Sequence, residues 1–130
     1  VRAYGFGWPA GPLAVEDMVK LYSQSRINLG FGGVIGHPDT FCLKGRDFEI
    51  PMSGGLYLTE DHAELANAFR RGEEILTYSG IDDLEEKIRY YLTHPDEAQA
   101  VREKGRARAL ADHTWEARFA KIFRLLGLLE

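Results

Sequence analysis

The 130 residues carry 20 acidic and 16 basic side chains, a net charge of -4, with 45% hydrophobic and 28% charged residues. That length fits one domain with a real core, and the composition excludes a disordered chain. It equally excludes the basic field that draws in nucleic acid or an anionic membrane; no apolar run would span a bilayer, and the lone Cys42 permits no internal disulfide, so the chain reads as cytoplasmic.

Residues 1–6 read as a strand that enters Gly5-Phe6-Gly7-Trp8-Pro9-Ala10-Gly11-Pro12, a loop by composition. The chain begins at Val1 with no targeting segment ahead of that strand, which predicts a piece of a longer protein with part of its active site elsewhere. Val15, Met18, Leu21 and Tyr22 follow helical spacing. Residues 26–31 alternate Ile27, Leu29 and Phe31 before Gly32-Gly33, as a short strand entering a loop does, and that loop is expected to run to about Lys44. Residues 46–53 form a short helix with Pro51 in or near its first turn, ended by Gly54-Gly55.

Leu56-Tyr57-Leu58-Thr59 is the next strand, residues 62–69 the next helix, and residues 74–78 the last strand. Asp82 and Glu85 have capping-box spacing at the start of a helix whose buried stripe is Leu84, Ile88, Tyr91 and Leu92. Pro95 opens a further helix with Ala98, Val101 and Gly105 inward, and Thr114 caps a final one with Trp115, Phe119, Ile122, Phe123 and Leu126 on one face. Strands alternating with helices imply an α/β fold: a Rossmann-like parallel sheet with helices on both faces, in a single domain over residues 1–130.

In such a sheet ligands bind beyond the carboxyl ends of the strands, and three glycine-rich places qualify: residues 5–11, 32–49 and 53–55. Gly5, Gly7, Gly54 and Gly55 are the candidates for close backbone approach, although Gly5-Phe6-Gly7 lacks the later glycine of the dinucleotide fingerprint and reads equally as a tight turn. Lys44 and Arg46 stand at a helix start, where backbone N–H groups favour an anion such as a diphosphate. Glu49, one turn further, suits the two vicinal hydroxyls of a ribose. On spacing alone the same residues read more simply as a solvated helix start with a weak salt bridge.

The four histidines lack partners at metal-ligand spacing, and Ser53 is not flanked as a nucleophile elbow requires, so neither a metal site nor a hydrolase is assigned. Tyr90, Tyr91, Trp115, Phe119 and Phe123 read as core, and Arg102, Lys104, Arg106 and Arg108 as a solvated helix face. A receiver-like signalling domain would need acidic residues at strand ends, where Gly7, Phe31 and Thr59 are expected.

Set in order, Tyr4-Gly5-Phe6-Gly7-Trp8, the run from Leu21 to Leu29, Leu43-Lys44-Gly45-Arg46-Asp47-Phe48-Glu49-Ile50-Pro51, Gly54-Gly55 and His113-Thr114-Trp115-Glu116 carry a resemblance. Over nearly its whole length the chain resembles the C-terminal, donor-binding domain of group-1 glycosyltransferases, and within them the spore-maturation CgeB-like type. The resemblance implies the C-terminal half of a GT-B fold, which binds a nucleotide-diphosphate sugar as substrate, with no cofactor or metal. It implies that Glu49 holds the ribose hydroxyls. The family's second acidic residue falls eight positions upstream, at Phe41, with Asp39 and Asp47 nearby as substitutes. The acceptor site and any catalytic base are expected on an N-terminal domain outside these residues, so the 130 residues alone should show no transfer. The other reading, which Phe41 motivates, is a non-catalytic nucleotide-binding or regulatory domain.

Overall fold

A computed structural model describes residues 1–130. Its centre is the run that sequence marks as most apolar. Leu56, Tyr57, Leu58 and Thr59 are all at most 1% exposed, because strand β4 (Tyr57–Glu60) is the middle of a three-stranded parallel sheet covered on both faces. β1 (Asn28–Leu29) lies on one side of it, with Asn28 opposite Tyr57, and β5 (Leu76–Tyr78) on the other, with Glu60 opposite Tyr78. The expected α/β architecture is therefore present, with helices flanking a parallel sheet.

Side chains alternate across β4, which divides the core in two. On one face Tyr57 packs with Ile50 of α2 (Arg46–Met52), Leu65 and Ala68 of α3 (Leu65–Ala68), and Phe69. On the other, Leu56 and Leu58 meet Leu76, Tyr78, and Ala98 and Val101 of α5 (Pro95–Asp112), with Leu84, Ile88 and Tyr91 of α4 (Ile81–Thr93) packed against them. α5 also sends Ala109 into the first cluster, so it joins both layers. Pro95 occupies its first turn and Ala98, Val101 and Gly105 its buried side, as periodicity predicts.

Local chemistry explains several boundaries. Thr114 accepts from the Ala117 N–H at 3.1 Å, capping α6 (Trp115–Leu125) as expected. Gly54, at φ +77°, ends α2 in a Schellman turn: the Gly55 N–H reaches Ile50 O at 2.9 Å and the Gly54 N–H reaches Pro51 O at 2.8 Å. Pro51 stands in the last turn of α2 rather than the first, and is buried there. Its missing N–H forfeits one bond just before the helix ends, which a seven-residue helix tolerates.

Four other expectations are corrected. Residues 1–6 pair with no strand; Gly5 and Gly7 at φ +121° and +86° interrupt extended backbone, and the loop closes on itself through a 2.8 Å bond from the Gly5 N–H to Gly11 O. The segment read as a loop to Lys44 contains an antiparallel hairpin, β2 (Gly33–Val34) and β3 (His37–Phe41), turning at Ile35-Gly36. Asp82 and Glu85 form no capping box, because α4 starts one residue earlier than that spacing assumes; Asp83 instead reaches back to the Ser79 N–H at 2.9 Å. Arg102 is no solvated cation. Its guanidinium donates to the carbonyls of Ser23, Ser25, Arg26 and Gly54 at 2.6–3.3 Å, fastening α5 to the end of α1 (Val15–Gln24) and of α2.

The apolar face of α6 is likewise outside the core. Trp115 is 74% exposed, and Phe119, Ile122, Phe123 and Leu126 are exposed with it, since only the opposite side of the helix meets the domain. Tyr90 and Leu92 on α4 are exposed as well. Trp115→Gln should therefore lower stability by less than about 1 kcal/mol in a urea titration, whereas a buried tryptophan would cost about 3–5 kcal/mol. A loss in the larger range would show that this face is covered.

Candidate functional site

The carboxyl ends of β1, β4 and β5 are Leu29, Glu60 and Tyr78, and Gly30 follows the first of them into the loop. Gly30 is pinned from both sides: its N–H donates to Leu58 O at 2.8 Å, and its carbonyl accepts from the Tyr78 hydroxyl at 2.9 Å. A Cβ there would stand 2.1 Å from the Tyr57 Oη, so only glycine fits.

The next three residues collect the site's charges. Glu60 Oε2 accepts from the N–H of Gly32 at 2.8 Å and of Gly33 at 3.0 Å. Arg46 Nη2 donates to Phe31 O at 3.2 Å, and Lys44 Nζ to Gly33 O at 3.1 Å. One carboxylate and two cations thus converge on residues 31–33, at the edge where doubly wound sheets bind ligands. Arg46 Nε is buried with no hydrogen-bond partner.

α2 is anchored under this loop by Asp47, which is 2% exposed. Its two oxygens accept from the Lys44 N–H at 2.6 Å and the Tyr57 hydroxyl at 2.5 Å, tying the helix start to the central strand. Both oxygens are committed, which removes Asp47 as a substitute for the missing acid at position 41. The N–H groups of Asp47, Phe48 and Glu49 are also used, donating to Lys44 O and Gly45 O. The start of α2 therefore offers its cationic side chains to a ligand rather than a row of free amides.

Glu49 is exposed on the α1 side of α2. Burial pushes the Tyr22 hydroxyl above its usual range, the Glu49 carboxylate adds to this and the Arg46 guanidinium opposes it, so the three side chains share one electrostatic neighbourhood. Tyr78 is pushed up to about 12, first by burial and then by Glu60, again with Arg46 opposing. Arg46 is the group common to both fields and lies between the Glu49 and Glu60 sides of the site.

The raised tyrosines fix an alkaline limit. Tyr22, Tyr57, Tyr78 and Tyr91 are all raised above 10 with burial as the leading cause. Below pH 10 both folded and unfolded chains keep these protons. Above it the unfolded chain releases them first, so stability falls as pH rises from 10 towards 12. Phenolate absorbance should appear together with loss of helical circular dichroism in that window. Full ionisation near pH 10 with the helices intact would contradict the burial of these rings.

Beside the loop, a cavity of about 300 Å³ lies between Phe31, Phe41, Glu60, Tyr78, Gly80 and Leu84. The Phe41 ring stacks on His62 at 5.9 Å. The other predicted site residues are not gathered here. Gly54 and Gly55 precede β4 and lie at the amino end of the sheet, where a Cβ on Gly55 would stand 2.7 Å from Tyr22 O; they serve chain reversal and close packing. Gly5 and Gly7 belong to the self-closed loop ahead of α1. Sequence reading missed Glu60 and Tyr78. The strand Leu56-Tyr57-Leu58-Thr59 continues one residue further than its apolar run, to an acidic end, and that is the signal that was available.

No helix is long and apolar enough to cross a membrane. Residues 1–124 match the model of a family described as glycosyl transferase-like. No curated protein matches the chain.

Proposed function

The chain belongs to the glycosyl transferase-like family, and on that footing we propose that it is the donor domain of a GT-B enzyme of the CgeB-like type, binding a nucleotide-diphosphate sugar at the carboxyl edge of its sheet. The observation that carries this reading is the convergence of Lys44 and Arg46 on residues 31–33, with Glu49 on the same helix turn. Arg46 and Lys44 meet the diphosphate and stabilise the charge that develops as it leaves. Glu49 accepts from the ribose hydroxyls. Gly54 and Gly55 act only by setting where α2 ends. The loop holding Gly5 and Gly7 adds backbone contacts to the donor once a preceding domain orders it.

The acceptor site and any general base belong to that preceding domain, and transfer takes place in the cytoplasm. No cofactor beyond the sugar nucleotide enters this scheme. The 130 residues therefore bind donor without turning it over.

Titration of the isotopically labelled chain with UDP, GDP and ADP tests the reading. Amide signals of Gly32, Gly33 and residues 44–49 should shift with at least one of them; immobility of all these signals would remove the assignment. Phe41, where the family pattern has an acid, favours a second reading in which nucleotide binds and no sugar is transferred. Binding by the full-length protein without transfer or hydrolysis of any sugar nucleotide would select it.

A further inference from the structure

Two successive backbone N–H groups aimed at one oxygen make a concave anion site, the arrangement by which loops hold phosphate. Gly32 and Gly33 provide that arrangement, and the oxygen they hold is the chain's own Glu60 Oε2, at 2.8 and 3.0 Å. We propose that this pair is a phosphoryl site kept closed in the free protein by Glu60, and that the diphosphate of a nucleotide opens it by displacing the carboxylate. The proposal rests on the donor-binding reading above and adds to it a residue that competes with the ligand.

The surroundings favour an anion richer in charge than a carboxylate. Lys44 and Arg46 hold the carbonyls of Gly33 and Phe31, so both flank the same short loop, and Arg46 Nε is buried without an acceptor. A diphosphate supplies further oxygens at the same place, and cations paired with phosphate oxygens make shorter, stronger bonds than those to neutral carbonyls. The nearest other carboxylate, Asp61, is already bidentate with Arg71 Nη1 at 2.6 and 2.9 Å, which offsets its repulsion. Glu60 also borders the cavity of about 300 Å³ beside Tyr78 and Gly80, which gives a displaced side chain room to turn. The two glycines differ in what fixes them. A Cβ on Gly32 would stand 2.8 Å from the buried His62 ring, whereas one on Gly33 would meet nothing closer than Glu60 Oε2 at 3.6 Å. The site is thus built against His62 on one side and open towards Glu60 on the other.

A competing group lowers apparent affinity in proportion to the closed population, so a closed-to-open ratio of about 10 weakens binding about tenfold. Calorimetric titration of wild-type and Glu60→Gln chains with UDP, GDP and ADP reads this directly. Glu60→Gln should bind the preferred nucleoside diphosphate about tenfold more tightly. Equal or weaker binding by a folded Glu60→Gln chain overturns the proposal while leaving donor binding standing. Absence of wild-type binding to all three nucleotides removes both. Should Glu60→Gln fail to fold, the wild-type amides decide: Gly32 and Gly33 signals must move with inorganic pyrophosphate and the nucleoside diphosphate, and stay fixed with the corresponding nucleoside. Fixed signals with pyrophosphate overturn the proposal in that case.

Discussion

Asp47→Ala should destabilise the domain by about 3 kcal/mol and abolish nucleotide binding at ordinary ligand concentrations. The substitution leaves the buried Tyr57 hydroxyl without its 2.5 Å acceptor and the Lys44 N–H without its 2.6 Å one. An orphaned buried hydroxyl costs about 1–3 kcal/mol, and loss of a cap at a helix start about 1 kcal/mol. The binding loss follows from geometry, because Asp47 alone joins the start of α2 to β4 through side chains, and α2 carries Lys44, Arg46 and Glu49 at that start. Tyr57→Phe, which removes the donor and keeps the capping carboxylate, should cost less than Asp47→Ala. Urea unfolding of the two variants and their combination separates the shared term. A loss below about 1 kcal/mol for Asp47→Ala would show that this pair does not hold the site.

Gly105→Ala should cost at least as much, although alanine is the better helix former by about 1 kcal/mol. The added Cβ would fall 2.2 Å from Glu74 O, inside the 3.0 Å below which such contacts are essentially absent, and the obstacle is backbone. α5 must retreat, and it carries Ala98, Val101 and Ala109 in the two core clusters and Arg102 on four carbonyls. Overpacking of this kind typically costs 1–3 kcal/mol and occasionally more; with the helix dragging both clusters, roughly 3 kcal/mol net is expected. Thermal unfolding reads it, and a variant as stable as the parent would mean that α5 sits further from residue 74 than described.

Sequence revealed what short-range chemistry decides. Pro95, Thr114, Gly54 and the inward Gly105 each act within a turn or two of chain, and each stands where spacing puts it. The hairpin of β2 and β3 was hidden because all of His37–Phe41 is exposed, which leaves no alternation of apolar and polar residues to read. Periodicity also identifies an apolar face without saying what covers it, which is why the α6 stripe from Trp115 to Leu126 was mistaken for core. At the site, Lys44, Arg46 and Glu49 were legible as a charged helix start. Their relation to Glu60, Tyr57 and Tyr78 was not, since those contacts join residues 8–48 positions apart and arise only when the parallel strands align. Arg102 illustrates the same limit: an arginine among alanines on a helix looks solvated until the carbonyls it meets, nearly 80 residues earlier, are known.

The central claim is that Arg46 and Glu49 grip a nucleoside diphosphate at the carboxyl edge of the sheet. Calorimetry with wild-type, Arg46→Ala and Glu49→Gln chains tests it most directly. Loss of a charge-assisted contact is worth about 1.5–3 kcal/mol, so each variant should weaken the preferred nucleoside diphosphate by roughly tenfold to a hundredfold while remaining folded. Arg46→Ala should leave affinity for the bare nucleoside unchanged, since its partner is the diphosphate. Folded variants that bind the nucleoside diphosphate as tightly as wild type would contradict the account.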